Sequence, residues 1–293
     1  MLEFFRALRV PENEFLRLAL LAGLLASVAA GVVGSYVVTR RITYIAGGVA
    51  HCVLGGIGLA AFASVVWGLK WLQPLHGATA AALLAAVVIG VVSLRAKQRE
   101  DTVISALWSI GMAAGILFIS RTPGYAVDPM SYLFGNILMV SRSDLWLIAG
   151  LDVLVVGVSL AFYKRLLAVC FDEEFARLRG VRADAYYLLL LCLTALTVVA
   201  LVTVVGIVLA IALLALPAAV AGHFSKTLWQ MMVLGVALSA LISAVGLGLS
   251  YGANLPAGSA IVILAGAAYL ATALGARLWH WRRAKTASRP GSA

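Results

Sequence analysis

Residues 185–222 read AYYLLLLCLTALTVVALVTVVGIVLAIALLALPAAVAG, and none of these 38 positions carries a charged side chain. A single helix of that length would be about 57 Å long at 1.5 Å per residue. The hydrocarbon core of a bilayer is only about 30 Å thick. The stretch is therefore read as two membrane-spanning helices joined by a turn near Val204-Val205-Gly206. One long tilted helix is the alternative.

Outward from this stretch the pattern repeats. Apolar runs occupy roughly 15–39, 45–69, 77–94, 102–120 and 145–163 before it, and roughly 227–250 and 256–278 after it. The total is nine spans, or eight on the alternative reading. Composition agrees: 63% of the 293 residues are hydrophobic and 12% charged, with mean hydropathy +1.04. Soluble domains are about half apolar and a quarter charged. So little polar surface cannot cover a globule. That excludes a soluble enzyme, a disordered chain and a nucleic-acid-binding domain. The predicted fold class is an all-α polytopic integral membrane protein of about nine helices.

Leu16 to Ala30 has the look of a secretory signal. Glu3, Glu12 and Glu14 precede it, however, the apolar run continues to Val38, and Arg40 and Arg41 follow as after a stop-transfer span. It is read as a retained helix. Before it, Leu2, Phe4, Phe5 and Leu8 alternate with Glu3, Arg6 and Arg9, which predicts a short helix along the membrane surface.

The net charge of +10 comes from 22 Lys and Arg against 12 Asp and Glu. With nine spans and the N-terminus outside, 16 of the 22 cations fall in inside segments. Cytoplasmic loops of membrane proteins carry this excess. Eight spans would put the basic stretch from Arg277 onward outside, so nine is preferred. Residues 1–280 are read as one transmembrane domain and 281–293 as a basic cytoplasmic tail. Cys52, Cys170 and Cys192 are an odd number without paired spacing, so no disulfide framework is expected.

Catalytic patterns are missing. There is no Gly-x-x-x-x-Gly-Lys-Ser/Thr loop to hold ATP, no His-Glu-x-x-His, and no Ser-His-Asp set placed for one pocket. The chain is read as a non-enzyme. Its largest inside loop, residues 164–184, is KRLLAVCFDEEFARLRGVRAD. Asp172, Glu173 and Glu174 open a short helical pattern there. Phe175, Leu178 and Val181 supply an apolar stripe, Arg177 and Arg179 close it, and Gly180 stops it. Such a loop is either a solvated connector or a helix that docks into a groove on a cytoplasmic partner.

His51 is the one histidine within a predicted span. Ionisable groups at membrane depth are costly and often line pathways, and imidazole suits transition metals. The other reading is a histidine bonded to a neighbouring helix near the inner interface. Cys52 points about 100° away on a helix and reads as packing. Asp152, a lone carboxylate two turns into the fifth span, either lines a cation path or meets a polar group between helices. His223, beside Lys226, reads as interfacial. Asp128 and His76 lie outside, placed to meet an incoming cation. Gly47, Gly48, Gly55, Gly56 and Gly58 allow close helix approach or a break in the second span.

Several segments, in order, resemble one family. They are GSYVVTRRITYIAGGVAHCVLGGIGLA (34–60), SYLFGNILMVSRSDL (131–145), FDEEFARLRGV (171–181), the run 193–231, and NLPAGSAIVI (254–263). Together they are similar to permease subunits of bacterial ABC importers for divalent metals, the zinc, manganese and iron group. The resemblance covers about residues 15 to 275. It implies a type II ABC importer-like fold in the bacterial cytoplasmic membrane, with two copies forming a homodimer around the path. It also implies a separate cytoplasmic ATPase held by Asp172, Glu173, Glu174, Phe175, Arg177, Leu178 and Gly180, and an extracytoplasmic metal-binding protein outside. The metal, zinc first and manganese or iron next, would pass His51 and Asp152 transiently, with no cofactor permanently bound. The chain departs from the family where carboxylates are common: these positions are Gly47, Asn136 and Asn254. A siderophore or cobalamin permease is the nearest alternative. A secondary transporter would show repeats and intramembrane charges, and a membrane enzyme would show clustered catalytic groups.

Overall fold

The computed structural model describes residues 2–10, 13–95, 100–124, 133, 135, 137–253 and 255–287. Among them the chain is helical, with no strand. The helices are α1 (Leu2–Arg9), α2 (Glu14–Arg40), α3 (Thr43–Val66), α4 (Pro74–Arg95), α5 (Glu100–Ser120), α6 (Arg142–Ala161), α7 (Tyr163–Phe171), α8 (Glu173–Leu178), α9 (Ala183–Val205), α10 (Ile207–Phe224), α11 (Leu228–Ala253) and α12 (Ala257–Ala287). A 3₁₀ turn, Ile137–Met139, precedes α6. Among the described residues nine helices are long and apolar enough to cross a membrane: α2 to α6 and α9 to α12. The eight-span alternative is excluded, and the domain boundary expected at residue 280 falls inside α12.

The long uncharged stretch breaks where its length requires. Val205 ends α9, Gly206 takes φ 81° and ψ 166°, and Ile207 begins α10. A positive φ of that kind strains any residue with a Cβ. The break also has a partner. A Cβ added at Gly135 (φ 67°) would lie 2.3 Å from the Val205 carbonyl oxygen. The outer segment before α6 thus packs directly on the corner between two spans.

α2, α3 and α9 form the interior. α2 packs on α6, α9, α10 and α11; α3 packs on α4 and α5; α9 joins the two groups through α4 and α2. Backbone groups have no water to bond in a bilayer, so helices are the natural solution. Buried hydroxyls follow the same logic. Ser27 donates to the Gly23 carbonyl oxygen (2.6 Å), Ser35 to that of Gly31 (2.7 Å) and Thr194 to that of Leu190 (2.8 Å). Each satisfies itself one turn back along its own helix.

The predicted surface helix exists as α1, but it is not free. Phe4 and Ala7 are buried, and Phe4 meets Tyr251 of α11 edge-on at 6.2 Å.

Contacts between helix ends sort them onto two sides. On one side Arg142 pairs with Glu14 (2.5 Å) and Phe4 meets Tyr251. On the other, Thr39 Oγ1 approaches the Met231 sulfur (3.6 Å), Tyr44 bonds Ser105 (2.6 Å) and Ser93 bonds Tyr187 (3.3 Å). The second side carries Arg40, Arg41, Arg95, Arg177, Arg179, Arg182 and Lys226. By the positive-inside rule it faces the cytoplasm.

Candidate transport path and coupling helix

His51 lies two turns into α3, about 12 Å along it from Thr43 at 1.5 Å per residue. It is 7% exposed. Its ring stacks on Trp108 of α5, with centroids 4.2 Å apart and planes 15° from parallel. Among the described residues Nδ1 has no hydrogen-bond partner. Leaving a buried polar atom unpaired costs roughly 1–3 kcal/mol. In the tautomer that leaves Nδ1 its lone pair, such an imidazole can ligate a transition metal. One turn earlier on the same face, a Cβ at Gly47 would sit 3.7 Å from the Trp108 ring. Tyr44, a further turn back, bonds Ser105 of α5 and lies 6.1 Å from the Trp108 ring.

Glycines bring the helices this close. A Cβ at Gly55 would lie 2.8 Å from the Gly111 carbonyl oxygen, and one at Gly56 only 2.1 Å from that of Gly77. α3 is unbroken, so these glycines serve approach, not a break. Cys52 also faces α5, where its thiol donates to the Leu107 carbonyl oxygen (3.3 Å).

The inside loop 164–184 contains α8, capped at both ends. Asp172 in extended conformation accepts from the Phe175 N–H (2.9 Å), an N-cap. At the other end Gly180 takes φ 78°, with Val181 N–H on the Ala176 carbonyl (3.0 Å) and Gly180 N–H on that of Arg177 (3.0 Å). That pair of bonds is a Schellman motif. Ala176 is buried, while Phe175 and Leu178 are 51% and 86% exposed. Arg179 covers one face of the Phe175 ring at 5.0 Å. Val181, which the sequence placed in the apolar stripe, is half-buried against the bundle, where its N–H closes the Schellman motif. Glu173 is held by Arg40 and by Arg177 (2.6 Å). Arg177 also pairs with Asp184 (2.6 Å). Glu174 is left facing outward.

Comparison with known proteins agrees with this geometry. Residues 12–276 match the model of the ABC 3 transport family. The chain belongs to that family. It is 43% identical over 251 residues to a probable metal transport system membrane protein of Chlamydia muridarum, covering 86% of this chain and 85% of that one. It is 33% identical over 268 residues to the manganese import system permease protein ScaB of Streptococcus gordonii, covering 92% and 93%. Among solved structures, PsaBC from Streptococcus pneumoniae in complex with Fab superposes with TM-score 0.80 at 31% identity, covering 92% of this chain and 94% of that chain. The resemblance read from the sequence is thus correct at the level of an ABC-3 family permease in a multi-pass bacterial membrane protein.

Within this family member the two expected path residues stand apart. Asp152 is 5% exposed on the α6 stripe of Ile148, Asp152, Val155 and Ser159. Among the described residues neither of its carboxylate oxygens has a well-formed hydrogen bond; the backbone of Ala29 in α2 bears on it. His51 faces α5 and Asp152 faces α2. Among the described residues no three His, Cys, Asp or Glu side chains converge on one point. His223 is exposed at the end of α10, its Nδ1 2.9 Å from the Ala219 carbonyl oxygen. His76 Nδ1 lies within reach of the Gln73 N–H and the Trp71 carbonyl, serving the turn before α4. Asp128, Asn136 and Asn254 lie outside the described residues.

Sequence reasoning missed two side chains. Trp108 covers His51 from a helix 57 positions on. Its signal was faint: Ser105 and Trp108 sit near one face of α5, as Tyr44, Gly47 and His51 do on α3. Arg40 was read only as a stop-transfer charge, and nothing local to it points to Glu173.

Proposed function

We propose that this chain is the membrane subunit of an ATP-driven importer of divalent transition metal ions. Two copies line the path, a separate ATPase seats on α8 from the cytoplasm, and an extracytoplasmic metal-binding protein delivers the ion. His51 is the transient donor on the path, and Asp152 is a second candidate farther round the bundle. Transport needs release as well as capture, so sparse ligation suits it better than a closed four-ligand site.

Manganese is placed first among the metals. The zinc-first ordering read from the sequence finds no support among the named relatives, of which ScaB is a manganese permease. Imidazole and carboxylate hold Mn²⁺ weakly at the low end of the Irving–Williams order, as a passing ion requires.

The observation that carries the ATPase half of the proposal is α8 itself. A six-residue helix capped at both ends and ion-paired to the bundle nevertheless turns Phe175 and Leu178 outward. Burying the Phe175 ring in a partner's groove is worth roughly 1.5–3 kcal/mol, or about 10- to 150-fold in affinity. Phe175→Ala should therefore strip the ATPase from the purified complex while the permease still inserts with unchanged thermal stability. Full co-purification and full uptake in that variant would make α8 a plain connector.

A further inference from the structure

We propose that Arg40 is a positioning residue for transport: through Glu173 it ties the coupling helix to the α2–α3 corner, so that movement of α8 reaches the helix carrying His51. The inference rests on the reading of α8 as the ATPase seat.

α8 lies far along the chain from α2, yet Arg40 reaches across 133 residues to the Glu173 carboxylate. The two side chains are only 24% and 21% exposed. Shelter of this kind weakens screening and strengthens the pair relative to a surface one. The Arg40 guanidinium also lies 5.5 Å from the Tyr187 ring at the start of α9. Glu173 passes the linkage on to Arg177, and Arg177 to Asp184 of α9. α8 is thus clamped between the cytoplasmic ends of two interior spans.

The α2 end of the clamp is stiff. Arg40 is the last residue of α2, where a cation complements the helix dipole. Arg41 follows in left-handed conformation at φ 62°, the one non-glycine among the described residues with positive φ. Ile42 N–H bonds back to the Val37 carbonyl oxygen (2.9 Å) and Arg41 N–H to that of Val38 (3.1 Å). α3 begins at Thr43, so no slack separates Arg40 from the helix that carries His51. Tyr36, one turn before Arg40, donates to the Ser159 carbonyl oxygen of α6 (3.2 Å), and Thr39 touches Met231 of α11. A push on Arg40 is therefore delivered to a corner that touches most of the interior. Packed elements of this kind shift as units between discrete arrangements.

The test uses the full complex in proteoliposomes with its ATPase and binding protein, comparing Arg40→Gln, Glu173→Gln and the double variant. Arg40→Gln should keep ATPase co-purification and ATP hydrolysis, and each single variant should lower metal uptake per ATP hydrolysed by about fivefold or more, as expected of a lost transmission step. The double variant should be no worse than the poorer single, because both remove the same link. Arg40→Lys, which keeps the charge, should retain at least half of the uptake and guards against a misfolded glutamine variant. Unchanged uptake in the single variants, or independent losses that multiply in the double, would overturn the proposal. Loss of co-purification in Arg40→Gln would overturn it too, since Arg40 would then belong to the seat. The seat reading fails separately, if Phe175→Ala keeps both ATPase and uptake.

Discussion

The α3–α5 contact around His51 and the cytoplasmic corner around α8 are built by opposite means. Around His51 the helices meet through glycines and aromatic faces, and a buried ring nitrogen is left without a partner among the described residues. Around α8 polar groups are engaged: Asp172 caps, Glu173 bridges two arginines, Arg177 bridges two carboxylates, and the last turn closes on Gly180. The first arrangement leaves a ring nitrogen open to a ligand. The second spends most of its polar groups on rigidity and turns Phe175 and Leu178, with Glu174 beside them, outward. Under the proposed function the first is the site that holds an ion briefly and the second the lever that must not bend.

The contrast breaks most severely on the α3 side. Gly56→Leu would drive a side chain into the Gly77 backbone, where even a Cβ lies at 2.1 Å. A backbone clash cannot be relieved by a rotamer, so the cost should be about 3 kcal/mol or more. Folded protein should fall sharply in size-exclusion profiles of detergent extracts. Gly150→Ala on α6 is the control: nothing lies within 4 Å of an added Cβ there, and stability should stay within about 0.5 kcal/mol.

On the α8 side, Gly180→Val should matter next. A β-branched residue at φ 78° costs about 1–2 kcal/mol, and it would undo the Schellman end without touching Phe175. ATPase affinity should drop by less than in Phe175→Ala, with the thermal stability of the bundle nearly intact. An equal or larger drop would mean that the helix end, not the aromatic ring, makes the seat.

The smallest effect belongs to the outer edge. Arg142 and Glu14 form a well-shaped pair, but their side chains are largely exposed. Arg142→Ala should shift the melting temperature by no more than an exposed pair allows, about 1 kcal/mol or less. A larger loss would show that the outer face shares the rigidity of the cytoplasmic corner.

These regions also differ in how far the sequence revealed them. Signals that act within a few residues were legible. The 38 uncharged positions demanded a break, and Gly206 supplied it; Asp172 and Gly180 marked the ends of α8 by residue type alone. Pairings across the chain were not legible. Trp108 carries no local mark of the imidazole it covers, and Arg40 looks the same whether it stops a span or grips Glu173. Val181 continues the apolar stripe by spacing, yet it sits half-buried against the bundle. The identity of the metal was not legible either: one imidazole favours zinc by affinity but does not by itself select a passing ion, and three positions where the family commonly has carboxylates are glycine or asparagine.

The central claim is that the free nitrogen of His51 handles the ion. The direct measurement is Mn²⁺ uptake into proteoliposomes holding the whole complex, with His51→Leu beside the unaltered chain. Leucine fills similar space and removes an unsatisfied buried polar atom, so melting temperature and ATPase co-purification should be equal or higher. Uptake should fall by about tenfold or more, the loss expected for a missing metal donor. Uptake at the unaltered rate in a fully folded His51→Leu complex would contradict the claim and leave His51 a packing residue against Trp108.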